Sequence, residues 1–200
     1  MLKLFHNPDS RSSRFIWLLE ELALDYELIY VEIPRRGTGS PDPANPHPDK
    51  RVPALTHDGQ LITESAAIAL YLTDAFPKAG LGPPVGDPKR ADYLTWLAFY
   101  AGEIEPAFDL YRRGWIEKDP LQVLAKNHER VGKRVLTALS QGHYLLGDQF
   151  TAADVLVASP YQWLRDFGPP SAQIDAWLRR LAARPAAIRA AERDRKSAAP

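Results

Sequence analysis

The sequence predicts an α/β domain over residues 1–76, a linker over 77–90 and an all-α domain over 91–200. Three features carry that division. Short runs with strand character occur only before residue 76. The stretch "FPKAGLGPPVGDPKR" that follows is dense in glycine and proline. Beyond it, apolar residues recur at intervals of three and four.

The opening "MLKLFH" alternates like a strand and stops at the turn cluster "NPDS". "RSSRFIWLLEELAL" then places Phe15, Leu18, Leu19 and Leu22 on one helical face. "YELIYVEI" is a second strand, β-branched and aromatic, and strand–helix–strand order predicts parallel pairing. Residues 34–51, with five prolines and two glycines, predict a long loop, which in a compact domain is usually functional or disordered. "PALTH" and "QLIT" flank the turn Asp58-Gly59 as a hairpin, and "ESAAIALYL" opens a helix. The first half therefore reads βαβ, loop, ββα: a four-stranded mixed sheet with helices.

In the second half Leu94, Leu97, Ala101, Ile104, Phe108, Tyr111 and Trp115 predict one long helix, bent near Pro106, with one apolar seam that serves either as an interface or as internal core; Tyr111 and Trp115 are expected to pack in the core. Further helices fit 120–141, 151–167, 171–183 and 185–195. "FTAADVLVAS" carries a capping box, Thr151 answered by Asp154, with Phe150 as staple; these residues are read as structural.

Composition removes several classes of function. The chain of 200 residues has 25 basic and 25 acidic side chains, so neither nucleic acid nor an anionic lipid surface is an expected partner. No apolar run reaches membrane-spanning length and the opening residues do not resemble a signal peptide, so the expected location is the cytoplasm. There is no cysteine, which excludes disulfides, thiolate metal sites and catalysis by a protein thiol. The five histidines show no metal-ligand spacing, and no metal is expected.

Two places in the first half are suited to binding. The turn "NPDSRSSR" ends at a helix N-terminus, where unsatisfied N–H groups and partial positive charge favour an anion; Ser10, Ser12, Ser13, Arg11 and Arg14 crowd it. An N-cap by Ser10 or Ser12 would explain the serines equally well. Glu64 and Ser65 stand at a second helix start, where capping is again sufficient. Pro53 lacks an N–H and suits a strand's first residue. In a thioredoxin-like arrangement the serine turn, the Val52-Pro53 edge and the Glu64-Ser65 start converge on one rim.

The motifs "SRSSR…WLLEEL", "NPHPDKRVPAL", "LITESAAIALYL" and "FTAADVLVAS", in this order and spacing, resemble the glutathione transferase family over nearly the whole chain. The resemblance implies a thioredoxin-like N-terminal domain, an all-helical C-terminal domain, glutathione as co-substrate and a homodimer. It implies that Pro53 is a cis-proline, that Val52 pairs its backbone with the cysteinyl part of glutathione, and that Glu64 and Ser65 hold the γ-glutamyl end. Arg51 stands near the glycyl carboxylate, and one of Arg35, Arg36, Thr38 and Ser40 adds a contact. Ser10 resembles the catalytic serine of theta-like members, with Ser12 and the Arg11 backbone as rivals for the thiol. The small electrophile is expected to lie against Tyr100, Glu103 and Ala107, which follow at helical spacing, with Tyr111 continuing the row. A catalytically silent glutathione-binding or ligand-carrying protein of the same fold is the alternative.

Overall fold

The computed structural model describes residues 1–34 and 39–197. They divide into two compact units, Met1–Ala79 with Ala183–Pro200, and Gly80–Ala182. The first unit is a thioredoxin-like sheet with helices, and the second is helical. The final helix, expected with the helical domain, belongs instead to the first unit.

In the first unit β1 (Leu2–His6) is followed by α1 (Ser13–Glu21) and β2 (Tyr26–Tyr30), then by β3 (Ala54–His57), β4 (Gln60–Thr63) and α2 (Ser65–Ala75). The sheet order is β2-β1-β3-β4, with β1 and β2 parallel and the other neighbours antiparallel. Side chains alternate across β1. Leu2 and Leu4 are buried on one face, which His6 continues; Phe5 on the other face joins a cluster with Val31, Val52 and Ala54. The β1–β3 ladder ends at Phe5↔Ala54, while His6 still pairs with Tyr30 on β2, so the chain leaves the sheet at Asn7.

The last helix, α8 (Pro185–Ser197), packs along α1, with Ala186 and Ala190 buried. Arg184 clasps Glu21 through two bonds of 2.6 and 2.8 Å, and Arg189 and Arg193 reach Glu20 at 2.8 and 3.2 Å. Such forked, charge-assisted contacts fix direction as well as adding energy.

The second unit contains α3 (Arg90–Phe99), α4 (Glu105–Arg112), α5 (Val123–Leu139), α6 (Ala152–Trp163) and α7 (Ala172–Ala182). The helix expected over 91–116 is broken into α3 and α4 by one π turn, Tyr100–Ile104. Pro106 cannot donate to the Gly102 carbonyl and its ring crowds that group, and widening the preceding turn relieves both. The helical row ends at Arg112, and Gly114 turns the chain at φ +64°. Trp115, expected in the core, is therefore 50% exposed.

The capping box at Thr151 forms as expected. The Asp154 carboxylate accepts the Thr151 N–H at 3.0 Å, and also the Leu145 N–H and the Trp177 indole N–H, each at 3.0 Å. Burial pushes this carboxyl up to about 6, against the pull of those hydrogen bonds. No helix among the described residues is long and apolar enough to cross a membrane.

Candidate active site

The turn after β1 folds its serines inward. Asn7 is anchored by its side-chain amide to the Val31 carbonyl at 2.9 Å. Its own carbonyl accepts the Ser10 hydroxyl at 2.6 Å and the Ser12 hydroxyl at 3.3 Å, and its N–H donates to Ser12 Oγ at 3.2 Å. Ser10 Oγ and Ser12 Oγ are 2.6 Å apart. Ser12 precedes α1 but makes no cap bond with its side chain, so the capping explanation does not apply to it. Its hydroxyl is fully buried, whereas Ser10 is 8% exposed. Ser12, expected to touch glutathione, thus faces the strand end, and Ser10 is the outer of the pair.

Behind the serines lies a group that sequence reasoning missed. His6 is fully buried, with Nδ1 2.8 Å from Ser12 Oγ and Nε2 3.0 Å from Asp194 Oδ1 on α8. Ser13 Oγ donates to the same carboxylate oxygen at 3.0 Å. Burial alone would raise the Asp194 carboxyl, but hydrogen bonds from His6, Ser13 and the Asp9 backbone hold it below the usual carboxylate range.

The second component is the edge before β3. The Val52-Pro53 bond is cis, and the Val52 side chain is buried in the Phe5 cluster. Among the described residues nothing takes the Val52 backbone N–H or C=O, so a buried side chain anchors an open backbone edge. Asn45, which the sequence reading passed over, braces it: its amide donates to the Arg51 carbonyl at 3.0 Å and its carbonyl oxygen accepts the His47 N–H at 3.0 Å. Lys50 Nζ turns back to the Asn45 backbone carbonyl at 2.6 Å, while the exposed Arg51 guanidinium has no hydrogen bond or ion pair among the described residues. Asn45 before Pro46 was the available signal, since a buried Asn commonly closes its own turn. Arg35, Arg36 and Thr38 lie outside the described residues; Ser40 is exposed.

The third component is the α2 start. Glu64 holds φ +67° and ψ 124°, a sparsely populated conformation for a residue with a side chain, and makes no cap bond. Its carboxylate is exposed. Ser65 is the first helical residue, half-buried, and Arg14 Nη2 reaches its Oγ at 3.5 Å while Arg14 Nε donates to the Arg11 carbonyl at 3.0 Å. A buried guanidinium therefore links the serine turn to the α2 start.

In the second unit the expected electrophile residues have different surroundings. Tyr100 is buried with its hydroxyl on the Glu105 carboxylate. Glu103 pairs with Arg130 on α5 at 2.6 Å. Tyr111, half-buried, stacks on His128 with ring centroids 5.1 Å apart, and burial with the Asp166 contact raises its hydroxyl pKa. Ala107 is buried. The π turn inserts a residue into the row, so uniform helical spacing does not hold between Tyr100 and Ala107.

A thioredoxin-like sheet thus presents a serine turn, an open backbone edge and a polar helix start, an arrangement for which family models name a class. The glutathione S-transferase N-terminal domain matches residues 1–74 and the glutathione S-transferase C-terminal domain matches 97–185. The chain belongs to the glutathione S-transferase family. It is 32% identical over 165 residues to glutathione S-transferase GstA of Escherichia coli O157:H7, covering 81% of this chain and 82% of that one. A glutathione transferase structure from Methylococcus capsulatus superimposes with TM-score 0.77 at 30% identity, covering 97% and 98% of the two chains. A sphingomonad glutathione S-transferase solved with glutathione gives TM-score 0.77 at 27% identity, covering 96% and 98%.

Proposed function

We propose that the protein binds glutathione in its first unit and transfers it to a small hydrophobic electrophile, with Ser10 stabilising the thiolate. The observation that carries this reading is the buried Arg14, which ties the serine turn to Ser65 and so holds two anion-stabilising turns together. In this reading the Val52 backbone pairs with the cysteinyl residue beside Pro53. Glu64 takes the γ-glutamyl ammonium, Ser65 and the α2 start take its carboxylate, and Arg51 takes the glycyl carboxylate. A free thiol titrates at about 8.5, and each unit by which the site lowers that value corresponds to about 1.4 kcal/mol. The thiolate then attacks the electrophilic carbon and displaces its leaving group. Tyr100, Glu103 and Tyr111 are the side chains proposed on the electrophile's side. We also propose a cytoplasmic homodimer.

A second reading, a glutathione-binding protein without catalysis, is favoured by one observation: the single Ser10 proton already faces two internal acceptors, Asn7 O and Ser12 Oγ. Conjugation of a generic aryl halide decides between them. The transferase reading expects Ser10→Ala to bind glutathione normally and lose at least about tenfold in conjugation rate, the scale of one lost hydrogen bond to a charged sulfur. Equal rates for wild type and Ser10→Ala would remove the serine assignment.

A further inference from the structure

The hydroxyls of Ser10 and Ser12 form a line that ends on a histidine, and the carboxylate beyond the histidine fixes the polarity of the inner half of that line. A carboxylate only accepts, so Asp194 requires the proton of a neutral His6 on Nε2, which leaves Nδ1 as an acceptor. The Ser12 hydroxyl, 2.8 Å away, donates to that nitrogen. The single Ser10 proton then has two acceptors at 2.6 Å, the Asn7 carbonyl and Ser12 Oγ, and transfer toward His6 runs in the state in which it points to Ser12. Ser10 Oγ accepts the Ser12 N–H at 3.1 Å with one lone pair and keeps the other for a donor from outside; Ser10 is 8% exposed, whereas Ser12 and His6 are fully buried. In this state Ser10 cannot stabilise a thiolate, because its proton points inward. It can accept from a thiol.

We propose that His6, braced by Asp194, is the proton acceptor for the glutathione thiol, reached through the hydroxyls of Ser10 and Ser12. This rests on the reading that the thiol sits at Ser10. The S–H bond breaks and its proton bonds to Ser10 Oγ. The Ser10 proton moves to Ser12 Oγ, and the Ser12 proton bonds to His6 Nδ1. No electron changes owner between groups; the products are a thiolate and an imidazolium facing the Asp194 carboxylate. The transfer also reverses every hydrogen bond in the row. His6 now donates to Ser12, Ser12 to Ser10, and Ser10 donates outward to the new thiolate. One step both removes the thiol proton and orients the donor that stabilises what remains. When the electrophile's leaving group departs, the proton returns along the same hydroxyls to solvent.

Among the charged and titratable groups on the elements around His6, Asp194 on α8 contacts its ring, Tyr30 on β2 is its sheet neighbour, Asp9 in the turn after β1 has its backbone on the Asp194 carboxylate, and Arg11 and Arg14 stand at the head of α1. Of these, Asp194 sits 3.0 Å from the ring, and Arg14 is directed to the Arg11 carbonyl and to Ser65. The cation formed on His6 thus has a carboxylate partner already in place. His6 and Asp194 do not touch the substrate; they act through the serines.

The test is the pKa of enzyme-bound glutathione, read from thiolate absorbance against pH, in wild type, Ser10→Ala, His6→Asn and Asp194→Asn. Asn at position 6 keeps a hydrogen-bonding group near Nδ1 with no proton affinity. Asn at 194 keeps the shape and an acceptor for Nε2–H but lowers the basicity of the ring. Both are expected to raise the bound-thiol pKa by about one unit, a tenfold loss of thiolate at low pH that closes as pH rises, while glutathione Kd changes less than about twofold. If His6→Asn does not fold, the isosteric Asp194→Asn carries the test alone. A bound-thiol pKa equal to wild type in a folded, glutathione-binding Asp194→Asn overturns the relay. Ser10→Ala separates the two claims. If it raises the thiol pKa while the His6 and Asp194 variants do not, the relay fails and the serine assignment stands. If it too leaves the pKa unchanged, the serine reading fails and takes the relay with it.

Discussion

The Val52-Pro53 edge before β3 and the Glu64-Ser65 start of α2 can be placed from the sequence because each belongs to a motif closed within a few residues. The His6–Asp194 pair could not: the two meet across nearly the whole chain, and the strand alternation that places His6 gives no sign of its partner. Asn45 was hidden differently, in a loop whose prolines exclude regular structure and say little else. The Asp194 contact has a consequence for acid stability. Its folded pKa is held below the ordinary carboxylate value of 3.8, so it contributes stability that is present above that value and lost as pH falls through the folded pKa. Asp194→Asn lacks this proton-linked part. The difference in urea midpoint between wild type and Asp194→Asn is therefore expected to be largest near neutral pH and to shrink below about pH 4. A difference that stays constant through the acid range would show that Asp194 titrates as an ordinary carboxyl.

Among the secondary-structure elements, the strands and most helices were legible because each buries a face with the right period. Three features were not. The π turn at Tyr100–Ile104 leaves the apolar spacing almost intact, so one helix was expected where α3 and α4 stand. Trp115 continued the seam on paper after the helix had already ended at Arg112. The return of α8 to α1 rests on Arg184, Arg189 and Arg193 meeting Glu20 and Glu21, a pairing with no local signature. The capping box was read correctly, yet Asp154 does more than cap α6, since it also holds the Leu145 backbone and Trp177 of α7. Truncating it leaves several buried donors without a partner. Asp154→Ala is expected to cost about 3 kcal/mol, seen as a fall of roughly 8 °C in melting midpoint. A loss under about 1 kcal/mol would mean that the cap is dispensable.

Two units assembled from one chain divide the work. In the proposed reading the first builds a carboxylate pocket, a backbone edge and a thiol site from β1, the loop before β3 and the head of α2. The order of these pieces along the sequence is what makes the family resemblance legible without any geometry. The same ordering explains what stayed illegible: where the electrophile sits depends on side-chain surroundings in the helical unit, which spacing alone did not give. Glutathione binding through the first unit is the claim on which the rest depends. The measurement to make is calorimetric titration of glutathione into wild type and Ser65→Ala. The account expects one site per chain in wild type and at least about tenfold weaker binding in Ser65→Ala, about 1.4 kcal/mol for a lost hydrogen bond to a carboxylate. No heat of binding in wild type, or equal affinity in the two proteins, would contradict it.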